Sequence, residues 1–225
     1  MCVTATEARA ARVRRLRGLY AVTPDTIDTE ALLAKCAAAI DGGAAAIQYR
    51  HKDAEGALAL AQARAIVALC RARGALAIVN DDAALAARVD ADGVHVGEHD
   101  GGPAAARARV GPSRIVGTSC YDSLALARQS VDAGADYVAF GSFFPSSSKP
   151  DARHASVDLV PLARKLGVPI VAIGGIDAAN ARTLADAGID AVAVIAALFT
   201  HDDPRDVEAA ARAIAGAFSP QVPDR

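Results

Sequence analysis

Three cationic side chains follow apolar runs of the sequence, where they could bind an anionic ligand. Arg50 and Lys52 come after the run Ala45–Tyr49, and Lys149 lies in a polar stretch further along the chain. Arginine presents a flat fork of donors to phosphoryl oxygens, and lysine supplies a compact positive charge. Alternate residues of a strand point to the same side, so Gln48 joins Arg50 and Lys52 there. We predict a phosphate- or pyrophosphate-binding cluster; the alternative is that Arg50 and Lys52 are the solvated end of a strand.

Two aspartates are placed so that they could bind a metal ion together. Asp81 follows the apolar run Leu76–Asn80, and Asp100 follows the run Gly93–Val96. If the two runs form adjacent strands, about 4.8 Å apart, the carboxylates lie close and repel each other unless a cation sits between them. Oxygen ligands without cysteine favour Mg²⁺, whose remaining ligands would be water and substrate phosphate. The alternative is that Asp81 or Asp82 simply caps the helix that follows, and Asp82 is predicted to do so.

Histidine provides no convincing catalytic base in this sequence. His95 lies inside an apolar run, between Val94 and Val96, so we interpret it as a hydrogen-bonded core or wall histidine, with a catalytic base as the alternative. The other histidines, among them His51, are expected at the surface. No arrangement of residues resembles a nucleophile with its general base.

Two glycines and a serine-rich stretch have both a functional and a simpler interpretation. Gly174 and Gly175 could bind phosphate through backbone N–H groups, as loops after late strands of barrels do, or could form a tight turn. Ser146–Ser148 could surround a phosphate or belong to an ordinary flexible loop. The long irregular stretch at 141–156 is long enough to be a lid or a ligand-binding loop.

These residues follow short apolar runs that alternate with alanine-rich helical stretches. The eight runs are Gly18–Val22, Ala45–Tyr49, Leu76–Asn80, Gly93–Val96, Arg114–Thr118, Tyr137–Phe140, Pro169–Ile173 and Ala191–Ile195. A repeated strand–helix unit without a break in composition predicts an α/β protein that forms a single (β/α)8 TIM barrel, with ligands at the carboxyl ends of its strands. A doubly wound open sheet is the alternative, but no glycine-rich dinucleotide turn follows the first run.

The sequence divides into one large unit and two short ends. We expect a helical extension at 1–17, the barrel at 18–217 and a flexible carboxyl-terminal tail at 218–225. The first residues are rich in arginine and alanine but include Glu7 and no central apolar stretch, so we expect a short extra helix there rather than the alternative, a transit peptide.

Composition excludes several classes of function. The 225 residues carry a net charge of −2, which gives no broad attraction to nucleic acid or to an anionic membrane. No apolar run reaches the roughly 18 residues that would span a membrane. The four cysteines lie far apart without a CxxC pair, which fits a cytoplasmic protein. We expect small-molecule substrates, no nucleic acid and no membrane, and the sequence leaves a homo-oligomer open.

Five ordered segments resemble the thiamine phosphate synthase family. They are Gln48–Lys52, Asn80–Asp82, Asp92–Asp100, Gly141–Lys149 and Ala172–Ile176. The similarity runs from about Gly18 to Phe199. A Gly-Gly-Ile sequence alone is common among phosphate-binding barrels, whereas the five segments together are highly specific.

The resemblance implies a reaction and a role for each matching residue. The reaction is a Mg²⁺-assisted transfer that joins an aminopyrimidine pyrophosphate to a thiazole phosphate, or its carboxylated form, and releases pyrophosphate. The residues implied for the aminopyrimidine pyrophosphate are Gln48, Asn80 and, with a catalytic role, Arg50, Lys52, Ser119 and Lys149. Those implied for Mg²⁺ are Asp81 and Asp100. Those implied for the thiazole phosphate are Ser146, Ser147, Ser148, Gly175, Ile195 and Ala196.

The sequence departs from the family pattern at three places. Serine stands at 146 and 148 where threonine is usual, which retains the hydroxyl group. Glu98 replaces a usual glutamine and adds negative charge near the expected metal. Ala196 replaces a frequent serine, a small loss if the contact there is made by the backbone.

The sequence leaves three other functions open. A thiazole tautomerase would handle the thiazole phosphate alone and would not need Arg50, Lys52 and the aspartate pair. A barrel that binds a phosphorylated ligand without turnover is a second alternative. An aldolase or amino-sugar isomerase is a third, but an aldolase would need a Schiff-base lysine on a strand.

Overall fold

The barrel is closed and entirely parallel. The structure, a computed structural model, describes residues 4–54, 56–97, 99–145 and 154–219. Its strands are β1 (Gly18–Val22), β2 (Ala44–Tyr49), β3 (Leu76–Asn80), β4 (Gly93–Val96), β5 (Ile115–Tyr121), β6 (Tyr137–Gly141), β7 (Ile170–Ile173) and β8 (Ala191–Val194). They follow one another in chain order, and β8 pairs with β1 to close the ring. The predicted (β/α)8 barrel is therefore confirmed.

Helices of very different length connect the strands. They are α1 (Ala5–Arg15), α2 (Thr29–Asp41), α3 (Gly56–Arg73), α4 (Ala83–Arg88), α5 (Gly102–Val110), α6 (Leu124–Asp132), α7 (Val160–Ala163), α8 (Ala181–Asp186), α9 (Ala196–Phe199) and α10 (Pro204–Gly216). Short 3₁₀ turns at Val157–Leu159 and Arg164–Leu166 flank α7. Several helices begin at an oxygen-bearing side chain that accepts an amide of the first turn, which fixes where each helix starts after its strand. The capping residues with this contact include Asp28, Asp82, Ser123 and Asp203.

The apolar side chains form two layers, one between the strands and the helices and one inside the barrel. The inner layer contains Tyr20, Ile78 and Tyr137. Leu16, at the end of α1, is fully buried in the same layer, and Val13 packs against it. The extra helix expected at the start of the chain is therefore present, and it covers the amino-terminal end of the barrel.

The predicted strands agree with the structure to within one residue at each end, except at β5. That strand was predicted to end at Thr118 but runs on to Tyr121. Its pairing with β6 shifts register between Ser119 and Tyr121, and Tyr121 has a left-handed φ of 53°. Ser119 therefore lies inside an irregular strand and not at its end, because one extra residue is accommodated there.

Other expectations concern the ends of the chain and the long loop. Most of the predicted tail, from residue 220 onward, lies outside the described residues, as do 146–153 of the loop. Among the helices that the structure describes, none combines the length and the apolar character that crossing a membrane requires.

Candidate active site

The two predicted metal-binding aspartates meet at the carboxyl ends of β3 and β4. Asp81 follows β3 with a left-handed φ of 62°, and its backbone N–H donates to the carbonyl of His95 at 2.7 Å. The amide Nδ2 of Asn80 donates to Asp81 Oδ2 at 2.6 Å. Asp100 Oδ2 accepts the N–H of Gly97 at 2.7 Å. Single non-glycine residues with positive φ are strained and often lie at functional sites. The backbone conformation of Asp81 therefore supports a functional site at this position.

The aspartate pair carries an unfavourable concentration of negative charge. Burial, the adjacent charge of Asp100 and a hydrogen bond shared with it raise the pKa of Asp81 to about 6, although Asn80 and Arg50 act in the opposite direction. A cavity of about 540 Å³ opens beside the pair and is also lined by Asp82 and Arg109. A cation between the carboxylates would remove their repulsion.

The donor set fits a partly hydrated Mg²⁺ ion. Within the described ranges, no group of three or more histidine, cysteine, aspartate or glutamate residues could hold a metal alone. Asp81 and Asp100 would thus supply two oxygen ligands, and water or phosphate would supply the rest, as is usual for Mg²⁺. Glu98, the residue that departs from the family pattern here, lies outside the described residues.

The cationic segment after β2 is held by residues from the end of β1. The hydroxyl of Thr23 accepts the N–H of Arg50 at 2.8 Å and donates to its carbonyl at 2.9 Å. Asp25 Oδ2 lies 3.2 Å from the Arg50 guanidinium, and Asp25 Oδ1 accepts the N–H of Lys52 at 2.6 Å. Burial alone would raise the pKa of Asp25, but the Lys52 N–H and the charge of Arg50 outweigh it and lower that pKa.

In this segment the structure argues against one alternative and corrects one expectation. Arg50 is only 22% exposed and is paired with Asp25, so it is not simply the solvated end of a strand. His51 was expected at the surface, but its side chain is 5% exposed, with its Nδ1 3.7 Å from Asp25. Asp25 itself was missed, although it follows β1 at the same end of the barrel as the predicted site.

Inside the barrel, five polar side chains form one connected chain of hydrogen bonds. Gln48 Nε2 donates to the hydroxyl of Tyr20 at 2.8 Å, and Tyr20 lies 3.0 Å from the hydroxyl of Tyr137. Tyr137 lies 3.0 Å from His95 Nδ1, and His95 Nε2 lies 2.9 Å from Ser119 Oγ. Burial lowers the pKa of His95 to about 4. The interpretation of His95 as a hydrogen-bonded core or wall residue is confirmed.

The alternation expected along β2 is also present. Gln48 bonds within the barrel interior, whereas the hydroxyl of Tyr49 donates outward to Gln62 of α3 at 3.0 Å. Gln48 and Arg50 are thus directed to the side of β2 that faces the barrel and its mouth, as strand geometry requires.

Gly174 and Gly175 lie where the chain after β6 crosses the end of β7. Both have positive φ, 103° and 64°. A Cβ at Gly174 would lie 2.1 Å from Ser142 Oγ, and one at Gly175 would lie 2.4 Å from the carbonyl of Pro145. Glycine is therefore required by close packing as well as by backbone conformation. The role of Gly175 in phosphate binding stays a prediction.

The remaining predicted residues are in two places. Ile195 and Ala196 begin α9 directly after β8, where the first helical N–H groups have no partner within the helix. Ser146, Ser147, Ser148 and Lys149 lie outside the described residues. The structure therefore brings together Arg50, Asp81 and Asp100 but leaves the serine and lysine segment untested.

A closed parallel barrel with polar residues at the carboxyl ends of its strands is the architecture of the (β/α)8-barrel enzymes. Comparison with known sequences specifies the group within this class. The chain belongs to the thiamine monophosphate synthase family, whose sequence model matches residues 19–198.

Individual relatives agree over nearly their whole length. A thiamine-phosphate synthase of Methylobacillus flagellatus is 55% identical over 197 residues, which cover 88% of this chain and 93% of the relative. One of Chromobacterium violaceum is 54% identical over 204 residues, 91% of this chain and 97% of the relative. The solved thiamine phosphate pyrophosphorylase from Pyrococcus furiosus superimposes with a TM-score of 0.81 at 33% identity, covering 92% of this chain and 97% of that one.

Proposed function

We propose that this chain joins an aminopyrimidine pyrophosphate to a thiazole phosphate, giving thiamine phosphate and pyrophosphate. The observation that carries the proposal is the close pair Asp81 and Asp100 beside the cationic segment at Arg50. That arrangement suits a magnesium–pyrophosphate group. The relatives named above, at 54–55% identity over most of the chain, support the same reaction.

The reaction needs no protein nucleophile. The bond between the pyrimidine methylene and its pyrophosphate oxygen breaks, and the oxygen keeps the electron pair. The electron-rich aminopyrimidine stabilises the cation that remains, and the thiazole nitrogen then supplies the electron pair of the new carbon–nitrogen bond. Catalysis consists of holding the two reactants in position and stabilising the negative charge of the departing group.

Residues of this chain would serve the departing pyrophosphate. The guanidinium of Arg50 and the ammonium of Lys52 would bind its oxygens, together with Asn80, Ser119 and Lys149. Asp81 and Asp100 would hold Mg²⁺, which when bound neutralises part of the pyrophosphate charge. Asp25 would orient Arg50 and Lys52 before the substrate arrives, since it bonds to both.

A second set of residues would bind the second substrate. We assign the thiazole phosphate to Ser146, Ser147 and Ser148, to Gly175 and to the backbone at Ile195 and Ala196. Backbone N–H groups at a glycine turn and at the start of a helix suit a phosphate monoester. The buried free thiols Cys36, Cys70 and Cys120 fit the proposed cytoplasmic location.

The test is pyrophosphate release by the purified protein. With both substrates and Mg²⁺, pyrophosphate and thiamine phosphate should form in equal amounts, and EDTA should stop both. Pyrophosphate release without thiamine phosphate would contradict the proposal. Isomerisation of the thiazole phosphate alone would indicate a tautomerase, and binding without turnover would indicate a binding protein.

A further inference from the structure

The hydrogen-bonded chain inside the barrel has a direction, which follows from counting its protons. It links Gln48, Tyr20, Tyr137, His95 and Ser119, which come from β2, β1, β6, β4 and β5. The first four residues are at most 7% exposed. In such a place each polar group must be satisfied by its neighbours, because an unsatisfied buried donor or acceptor is costly.

The direction is set at Gln48. Its Nε2 can only donate, so the hydroxyl of Tyr20 accepts. A phenol has one proton, and the remaining partner of the Tyr20 hydroxyl among the described residues is the hydroxyl of Tyr137. Tyr20 therefore donates to Tyr137. Tyr137, having accepted this bond, donates its own proton to Nδ1 of His95.

His95 passes the direction on to Ser119. Its ring is buried, and both ring nitrogens contact hydroxyl groups, so no carboxylate is hydrogen-bonded to it to balance a positive charge. The neutral ring has one N–H. With Nδ1 accepting from Tyr137, that N–H is at Nε2 and donates to Ser119 Oγ, 2.9 Å away.

The opposite direction would leave a proton without an acceptor. If His95 donated from Nδ1 to Tyr137, then Tyr137 would donate to Tyr20. Tyr20 would accept from both Tyr137 and Gln48, and its own buried proton would have no acceptor among its contacts. The cost of such a proton decides between the two directions.

We propose that Tyr20, Tyr137 and His95 are positioning residues that keep the hydroxyl of Ser119 a donor toward the pyrophosphate. Because Ser119 accepts from His95, its own proton is left for a ligand. The inference rests on the proposed function for the identity of that ligand, but the direction of the chain does not depend on it.

Packing around Tyr137 holds the chain in place. A Cβ at Gly117 would lie 1.9 Å from Cζ of Tyr137, so the ring lies directly against the backbone of β5. The rings of His95 and Tyr137 stack with centroids 5.6 Å apart. The register shift of β5 falls just after Ser119. Tyr137 is therefore fixed between β5, which carries Ser119, and the ring of His95, which bonds to Ser119.

The first experiment reads the tautomer of His95 directly. Nitrogen-15 NMR of histidine-labelled protein, without substrate, should find Nε2 protonated and Nδ1 bare, with the signals assigned by their loss in His95→Gln. Tyr137→Phe should abolish this preference. Tyr49→Phe is the matched control, because it removes another buried hydroxyl that donates outside the chain. A wild-type His95 protonated at Nδ1 would overturn the inference whether or not the protein makes thiamine phosphate.

The second experiment asks whether Tyr137 acts through Ser119. Tyr137→Phe should lower kcat roughly tenfold with little change in KM, less than removal of a transition-state donor would, because the Ser119 hydroxyl remains but is no longer held in one orientation. In a Ser119→Ala background the same substitution should change kcat less than about twofold, since the shared interaction is already gone. An equal effect in both backgrounds would assign Tyr137 a purely structural role and overturn the inference.

Folding and activity controls keep the outcomes separate. Tyr49→Phe should leave kcat unchanged within about twofold. If Tyr137→Phe does not fold, Tyr20→Phe interrupts the chain one link earlier and should also weaken the Nε2–H preference. A wild-type protein without turnover would contradict the proposed function and leave the NMR result to decide the direction.

Discussion

Both ends of the barrel carry aspartates, but the two sets have opposite surroundings. Asp92, Asp136 and Asp190 stand directly before β4, β6 and β8, at the amino-terminal end, and each accepts a backbone N–H from the preceding strand. The donors are Ala77, Val116 and Ile170, at 3.0, 2.8 and 2.9 Å. Each of these carboxylates fastens one strand to the next.

Arginines balance the charge at that end. The pairs are Arg12 with Asp92 at 2.8 Å, Arg9 and Arg107 with Asp136, and Arg17 with Asp190 at 4.0 Å. Two of these arginines, Arg9 and Arg12, belong to α1 and tie that helix to the strand ends. The amino-terminal end of the barrel is thus electrostatically satisfied before any ligand binds.

The carboxyl-terminal end is built the other way. Asp81 lies against Asp100, a group of like charge, and the pKa of Asp81 is raised by burial and by that neighbour. Asp81 also has a left-handed backbone conformation. Aspartates therefore stabilise the fold at one end and are electrostatically unfavourable at the other. Such unfavourable charges are typical of functional sites without their ligand. The comparison can be tested by changing matched residues at the two ends.

The largest difference should be between two arginines. Arg50→Ala should lower kcat by about 100- to 1,000-fold, because it removes a positioned donor to the departing group. The free energy of unfolding should fall by only about 1 kcal/mol, the cost of losing the partly exposed pair with Asp25. Steady-state pyrophosphate release and urea unfolding measure the two quantities. Lys149→Ala should behave similarly.

Arg12→Ala is the counterpart at the other end. It breaks a partly exposed pair with Asp92, so it should cost about 1 kcal/mol of stability and leave kcat near wild type. Wild-type turnover in Arg50→Ala would refute its catalytic role, and a large loss of turnover in Arg12→Ala would refute the division between the two ends.

The second effect concerns Asp136. Asp136→Asn removes the charge that balances Arg107, while one oxygen remains to accept the N–H of Val116. Both side chains are less than a fifth exposed. We expect a loss of about 2–3 kcal/mol, somewhat below the cost of breaking a fully buried pair. Urea unfolding measures it, and an unchanged midpoint would show that the end is not held together by charge.

Much of this arrangement could be predicted from the sequence. The parts that could not be predicted have one cause in common. The strands, Gln48, Arg50 and the aspartate pair follow from two-residue alternation and from the position of strand ends. The contact of Asp25 with Arg50 and the link from Tyr20 to Tyr137 depend on register around the closed ring. Residues 20 and 137 are far apart in the chain, and only the closed barrel places both hydroxyls inside it.

The third effect is a pH dependence in the metal-free protein. The folded pKa of Asp81 is about 6, above its unfolded value of about 3.9. Between these values the folded state binds more protons than the unfolded one, so stability falls as pH rises from about 4 to about 6. Since Asp81 is half-exposed, solvent screening reduces the loss to about 1–1.5 kcal/mol.

Asp100→Asn isolates this contribution. With the neighbouring charge removed, the fall in stability between about pH 4 and 6 should be smaller than in the wild type. Urea unfolding in EDTA across that range gives the difference between the two proteins. A difference that does not vary with pH would mean that the two carboxylates do not interact.

The smallest effect separates two adjacent aspartates. Asp82 Oδ1 accepts the N–H of Leu85 at 2.8 Å and begins α4, as the sequence predicted. Asp82→Ala should cost about 0.5–1 kcal/mol of stability. Ser123→Ala is the matched control, because Ser123 caps α6 in the same way, through the N–H of Leu126 at 3.2 Å. The two cap variants should lose similar stability in urea unfolding.

Asp81→Ala should do the reverse in the same assays. It removes a charge that repels Asp100 but keeps the left-handed backbone, so the metal-free protein should lose little stability, while turnover with Mg²⁺ should fall far more than in Asp82→Ala. Equal losses of turnover at 81 and 82 would mean that the local backbone, which both residues share, matters more than the carboxylate. Unequal losses would mean that Asp81 serves the site and Asp82 serves the fold, although the two residues are adjacent.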